Sequence, residues 1–241
     1  MSTVLSKELP TSFPAHIIRT SIGRKILMAV TGVITFGFVI GHMLGNLQVY
    51  LGQEQINVYA EKLQALGPFL WVIRGSLLLA FAVHIWLGIQ LKLENWSARP
   101  EGYRNEQTVQ ASLASRTMIW TGLIILLFVI YHLLHYTARV TNPDYQNLFD
   151  AAGRFDVYTM VILGFSNYLI SGFYIVAVGL LSYHLSHGVA SMFQTLGFNT
   201  PIWQQRLKAI AWFFTIFLFL GYAAVPAGVM AGILTTGGGG M

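Results

Sequence analysis

Apolar and polar positions alternate along this chain in long blocks, giving five extended apolar runs joined by short polar connections. The first extends from about Arg24 to Tyr50 and carries no charge from Ile26 through Gly52. At about 1.5 Å of rise per residue it can cross a bilayer core of about 30 Å. A connection holding Glu54, Glu61 and Lys62 closes on Gly67-Pro68, which signals a helix start. The second run extends from about Pro68 to Leu93. Lys92 to Arg116 is the most charged stretch, and Arg99-Pro100 and Gly102 break any helix there, so a surface loop is expected. The third run covers about Thr117 to Ala138. Val157 to Gln205 is uncharged and too long for one perpendicular span, so an interfacial piece is expected first, then a fourth span from about Asn167 to Thr195. Asn199-Thr200-Pro201 marks a turn before a fifth run from about Ala209 to Leu234. The fold class this predicts is all-α, an integral membrane bundle of five transmembrane helices. It divides into a polar arm over residues 1–23, a transmembrane domain over 24–234 and a Gly-rich tail over 235–241.

Composition agrees with that pattern. Charged residues make up 10% of the 241 residues, against about 25% in soluble domains, and 55% are hydrophobic. Cysteine is absent, which excludes disulfides, thiolate-held iron–sulfur clusters and covalent haem attachment through C-x-x-C-H. Any cofactor is therefore held by histidine or without a covalent bond. No cleavable signal peptide is expected, because Met1 to Ala15 is polar and the first apolar run continues past signal length. With the N-terminus cytoplasmic, the inner side receives Lys7, Arg19, Arg24, Lys25, Lys92, Arg99, Arg104, Arg116, Arg206 and Lys208. The outer side keeps Lys62, Arg74, Arg139 and Arg154, so the positive-inside tendency favours this orientation, with the C-terminus outside.

The candidate chemistry lies in histidines within the apolar runs. Ionisable groups at membrane depth are costly and mark ligand, metal or proton sites. Counting rise from the inner edge, His42 lies roughly 25 Å up and His132 roughly 23 Å, while His84 lies roughly 14 Å up and His184 roughly 18 Å. Two pairs of imidazoles at two depths match what two bis-histidine b-type haems need. By depth alone His187, at roughly 14 Å, suits His84 as well as His184 does. Gly45, Gly88 and Gly188 lie one turn along the same faces as His42, His84 and His184 and leave room for a flat macrocycle. The plain alternatives are histidines that only hydrogen-bond in packing and glycines that serve close helix contact. Two further readings are a histidine-rich membrane di-iron enzyme, suggested by H-x-x-H at His132 and His184, and a histidine-relay transporter or proton channel.

Beside this reading stands a resemblance. SIGRKILMAVTG at Ser21 to Gly32, GHMLGNL at Gly41 to Leu47, NVYAEKLQALGPFLWVIRGSLLLAFAVHIWLGIQL at Asn57 to Leu91 and YHLSHGVASMFQTLG at Tyr183 to Gly197 carry it. The chain resembles the cytochrome b membrane-anchor subunit of succinate dehydrogenases and fumarate reductases, the single-subunit, five-helix, two-haem type, over essentially Ser21 to Gly221. The resemblance implies His84 and His184 as axial ligands of an inner haem b, and His42 and His132 as those of an outer one. His135 is then a neighbour able to hydrogen-bond a propionate or quinone, and the position of His187 need not be histidine. It also implies a flavoprotein subunit that oxidises succinate, an iron–sulfur subunit that relays electrons, and delivery by this chain to membrane quinone, taken here as menaquinone. The succinate chemistry then belongs to the partners and this chain contributes the quinone site. Arg19, Arg24, Lys25, Lys92 and Arg116 form a basic dock for those partners or for anionic lipid. Ser21 and Arg24 on the inner side, and Glu61 and Gln64 on the outer, are the expected quinone contacts, with Glu61 alternatively a solvated loop residue; Arg74 either faces an outer propionate or snorkels to the interface. The expected setting is the cytoplasmic membrane of a prokaryote, as part of a complex able to form higher oligomers and without nucleic acid.

Overall fold

The structure is a computed structural model that describes residues 18, 20–98, 112–198 and 200–236. Lys7, His16, Arg19, the loop segment with Arg99 and Arg104, Asn199 and the end of the Gly-rich tail lie outside the described residues.

Local capping signals start the long helices. Thr20 caps α1 (Ser21–Leu47) by accepting from the Gly23 N–H, and Pro68 after Gly67 opens α3 (Pro68–Ser97). Ser112 caps α4 (Leu113–His132), Asn167 caps α6 (Tyr168–Thr195), and Thr200 before Pro201 caps α7 (Pro201–Met230). α1 continues into a 3-10 turn at Gln48–Leu51, and α4 into a π-helical turn at Leu133–Thr137. These five spans are long and apolar enough to cross a membrane. Trp71, Leu79, Trp120, Leu127 and Leu169 leave more than half of their surface exposed, a pattern that suits lipid and not water. The chain is a multi-pass membrane protein.

α1, α3, α4 and α6 form a ring in which each touches the next, with the lightest contact between α3 and α4. α7 packs along α6 and α1 from outside. The four helices that carry the intramembrane histidines are therefore the four that enclose one interior.

Three features depart from the expected layout. The surface loop expected over Lys92 to Arg116 is shorter, because α3 stays helical to Ser97 and α4 starts at Leu113. The connection after the first span is not a plain loop: residues Gln53–Gln64 form α2, which starts at Gly52 with φ 97°, a conformation that favours glycine. The fifth span begins at Pro201 and not near Ala209, because the polar turn Gln204-Gln205-Arg206 stays helical. The interfacial piece expected before the fourth span is α5 (Val157–Phe165), capped by Asp156 and ended before Asn167.

α2 and α5 pack on each other and close one end of the bundle. Asn57, fully buried, ties them: its amide donates to Asp150 at 3.1 Å and Asp156 at 3.0 Å, and its carbonyl accepts from the Tyr158 N–H at 3.1 Å. Arg154 then bridges Asp150 and Glu54. Val49, Ile56, Val161, Ile162, Phe165 and Val225 fill the space beneath. The opposite end has a smaller apolar cluster, Val189, Ala190 and Ala211, and an ion pair between Arg24 and Glu94.

Candidate functional site

Two of the histidines, His42 and His132, meet inside the ring. Nearer the end closed by α2 and α5, the His42 and His132 rings stand with centroids 5.8 Å apart and planes at 83°. Two imidazoles on opposite sides of one metal ion, with bonds of about 2 Å each, put their rings roughly 6 Å apart. Aromatic side chains pack this layer: Phe38 stacks on His42 at 5.3 Å, and Tyr222 lies 6.2 Å from it. Phe128, Tyr136 and Tyr174 surround His132 at 6.0, 5.8 and 6.0 Å. The amide nitrogen of Asn46, which already donates to the His42 carbonyl at 2.7 Å, lies 3.3 Å from His42 Nε2. His132 Nδ1 is buried without a hydrogen-bond partner.

His84 of α3 and His184 of α6 lie toward the opposite end, each against a hydroxyl of another helix. The Thr31 hydroxyl lies 3.3 Å from His84 Nδ1, and the Thr121 hydroxyl 3.0 Å from His184 Nδ1. His187, one turn beyond His184, is half-buried.

These donors suit a haem iron. All four are imidazoles, and an orphaned buried nitrogen sits at His132. Among the described residues no three histidine, aspartate or glutamate side chains converge to hold a bare metal ion, so the arrangement is one of pairs.

The other expected site residues fall as follows. His135 is fully buried, shares a hydrogen bond of 3.0 Å between its Nδ1 and the Tyr174 hydroxyl, and packs 4.1 Å from the Tyr136 ring. It belongs to an aromatic knot under the His132 layer, built by the π-helical turn, a feature that often marks functional positions. Gly45 faces Tyr59, whose hydroxyl would stand 2.9 Å from an added Cβ, so this glycine makes room for a tyrosine. Gly88 faces the end of Met28 at 3.6 Å from such a Cβ, and Gly188 has no such neighbour within 4 Å.

Arg74 and Gln64 line one groove of ≈ 580 Å³ together with Trp71, Pro68 and Arg139. That volume lies within the usual range of small-molecule sites. Glu61 is exposed one turn before Gln64 and outside this lining. At the other end Arg24 pairs with Glu94, while Ser21 is exposed beside it.

Around the α2–α5 closure, electrostatics hold carboxylates ionised. Hydrogen bonding from Arg154 pulls the Glu54 carboxyl below its ordinary value. Burial would raise Asp150 and Asp156, but hydrogen bonds outweigh it, from Arg154 and Asn57 to Asp150 and from Thr159 and Asn57 to Asp156.

Sequence reading alone did not single out Thr31, Thr121, Asn46, Arg139 or Glu94. Hydroxyls are common in membrane helices, so only their placement against a histidine of another helix distinguishes Thr31 and Thr121. Arg139 carried one signal, its position just past the third span; the structure adds a φ of 57° and a guanidinium 4.0 Å over the Phe155 ring.

Comparison of the chain with models of known protein families, with curated proteins and with solved structures finds no match.

Proposed function

We propose that this chain is a two-haem membrane cytochrome b that anchors a succinate:quinone oxidoreductase and passes electrons to membrane quinone. The observation that carries the reading is the meeting of the perpendicular His42 and His132 rings at 5.8 Å in an aromatic pocket. His42 with His132, and His84 with His184, would hold one haem b each. Bound there, each haem takes up and gives away one electron at a time.

The chain's own residues then have separable tasks. The four imidazoles set the positions of the carriers in two layers across the ring. Phe38, Phe128, Tyr136, Tyr174 and Tyr222 exclude water from the His42 layer. Arg74 and Arg139 give the ≈ 580 Å³ groove a positive lining suited to a propionate or to a quinone carbonyl, with Gln64 as a further hydrogen-bonding group. At the other end Arg24 is held by Glu94, and Ser21 beside it offers a hydroxyl to a second quinone position. The cation count supports a cytoplasmic N-terminus, which puts the Arg24 end inside, where a flavoprotein and an iron–sulfur subunit would dock. Menaquinone is the quinone proposed, and the cytoplasmic membrane of a prokaryote the setting.

The di-iron reading calls for many ligands at one edge, whereas among the described residues no three such side chains converge. The test is a reduced-minus-oxidised spectrum of the purified chain with haem counted against protein. Two low-spin haems per chain are expected. His42→Ala and His132→Ala should each remove the same one, and His84→Ala and His184→Ala the other. Retention of both haems in all four variants would end this assignment.

A further inference from the structure

α1 and α4 carry the same dipeptide, Thr31-Gly32 and Thr121-Gly122, and each meets the histidine of another helix. Thr31 lies against His84 of α3, and Thr121 against His184 of α6. A threonine hydroxyl has one proton to give. Thr31 Oγ1 spends it within its own helix, 3.0 Å from the carbonyls of both Leu27 and Met28. Thr121 does the same, at 3.2 Å from the Thr117 carbonyl and 3.1 Å from that of Met118. Toward the histidine each oxygen is therefore left to accept, and the ring nitrogen facing it, Nδ1, must donate.

The glycines complete the cradle. A Cβ on Gly32 would lie 3.6 Å from His84 Cε1, and one on Gly122 would lie 3.5 Å from His184 Cε1. A methyl group would fill that space, and anything larger would push the ring off its threonine. Two helices thus hold two histidines by the same contacts at the same ring atoms. The other layer lacks this device: His132 Nδ1 has no partner, and His42 meets the amide of Asn46.

We propose that Thr31 and Thr121 are positioning residues that lock His84 and His184 as Nδ1–H tautomers, leaving both Nε2 lone pairs for the iron of one shared haem. The identity of that ligand rests on the haem reading above; the tautomer does not. An acceptor at Nδ1–H fixes ring orientation and raises the basicity of the ligating nitrogen, and losing such support typically costs about 10–100-fold in metal affinity or activity.

The experiment takes the full chain in nanodiscs with iron protoporphyrin IX as probe and compares Thr31→Val and Thr121→Val with Thr31→Ser and Thr121→Ser. In each valine variant, haem occupancy of the His84–His184 site should fall roughly tenfold or more. The midpoint potential of that haem should rise, because a less basic ligand favours ferrous iron, while the His42–His132 haem keeps its own. The serine variants, which restore the hydroxyl, should return both values toward wild type. Separately, ring ¹⁵N shifts of the haem-free chain should show His84 and His184 protonated at Nδ1, and mixed tautomers in the valine variants. Wild-type rings protonated at Nε2, or valine variants with unchanged occupancy and potential, would overturn the proposal. A chain that takes no haem yet shows Nδ1–H rings would instead retire the haem reading and leave the tautomer lock standing.

Discussion

Asn57 lies where a substitution reads out the closure of the bundle most directly. It is fully buried and makes three hydrogen bonds, two to carboxylates and one from the second backbone N–H of α5. Asn57→Leu keeps the approximate volume and removes all three. The Tyr158 N–H is then buried without a partner, which costs about 1–3 kcal/mol. Asp150 and Asp156 keep other donors, Arg154 for one and Gln53 and Thr159 for the other, so each lost contact falls at the low end of a charged hydrogen bond, about 1.5 kcal/mol. The sum is about 4–6 kcal/mol, in the range reserved for broken buried networks. Asn57→Asp is the sharper variant. It restores an acceptor for Tyr158 but puts a third carboxylate against two others, so its own pKa must rise. Its penalty is present above that raised value and eases as pH falls through it. Unfolding of the purified chain in detergent, followed by far-UV circular dichroism at pH 7 and pH 5, measures both. Asn57→Asp should be at least as unstable as Asn57→Leu at pH 7 and recover part of the deficit at pH 5, where Asn57→Leu does not. An Asn57→Leu protein within about 0.5 kcal/mol of wild type, or two variants with parallel pH dependence, would refute the reasoning.

Other expectations follow from the same contacts. Because Glu54, Asp150 and Asp156 are held below their ordinary values, the stability they contribute is complete above pH about 4 and is lost as pH falls through the lowered values; melting temperatures should hold steady from pH 7 to 5 and drop below 4, and Arg154→Met should flatten that drop. A Cβ on Gly164 would overlap the Tyr136 hydroxyl and stand 2.8 Å from its ring, so Gly164→Ala should cost about 1–3 kcal/mol, and Tyr136→Phe in the same chain should return part of it in a melting assay. Arg24 and Glu94 pair with side chains 17% and 33% exposed, and a double-mutant cycle of Arg24→Gln and Glu94→Gln should give a coupling near 1 kcal/mol that shrinks in high salt; zero coupling would show the contact to be incidental.

The spans were legible because lipid imposes a simple rule: a helix must bury its own backbone polar groups and show apolar side chains over a fixed length. Of the starts, Gly67-Pro68 was legible as a helix signal, whereas the caps Thr20, Ser112 and Thr200 stand a few residues before the apolar runs that revealed those spans. Depth counting placed His42 and His132 in one layer, and the rings do meet there, since rise along a helix is nearly constant. It left His187 undecided beside His184 because depth carries no azimuth. α2 escaped notice because its residues are largely polar and its partner, α5, lies about a hundred residues away, joined through Asn57 and Asp156, whose sequence separation is 99. Gly45 looked like space for a macrocycle and proved to face Tyr59, because one turn of helix fixes a face but not what stands opposite. Thr31 and Thr121 were unreadable for the same reason.

Near the closed end, glycines repeatedly meet bulky side chains across a helix crossing: Gly45 with Tyr59, Gly164 with Tyr136, Gly228 with Tyr50 and Gly221 with Met43, each with an added Cβ under 3.0 Å from its neighbour. Each pair behaves as a single unit of sequence change. A lineage that enlarges the glycine must first shrink the opposing ring or thioether, and one that shrinks the ring opens a void that favours a larger residue opposite. Positions 45 and 59, 136 and 164, 50 and 228, and 43 and 221 should therefore drift together in descendants of this sequence, while lipid-facing Trp71, Leu79 and Leu127 exchange freely among apolar residues.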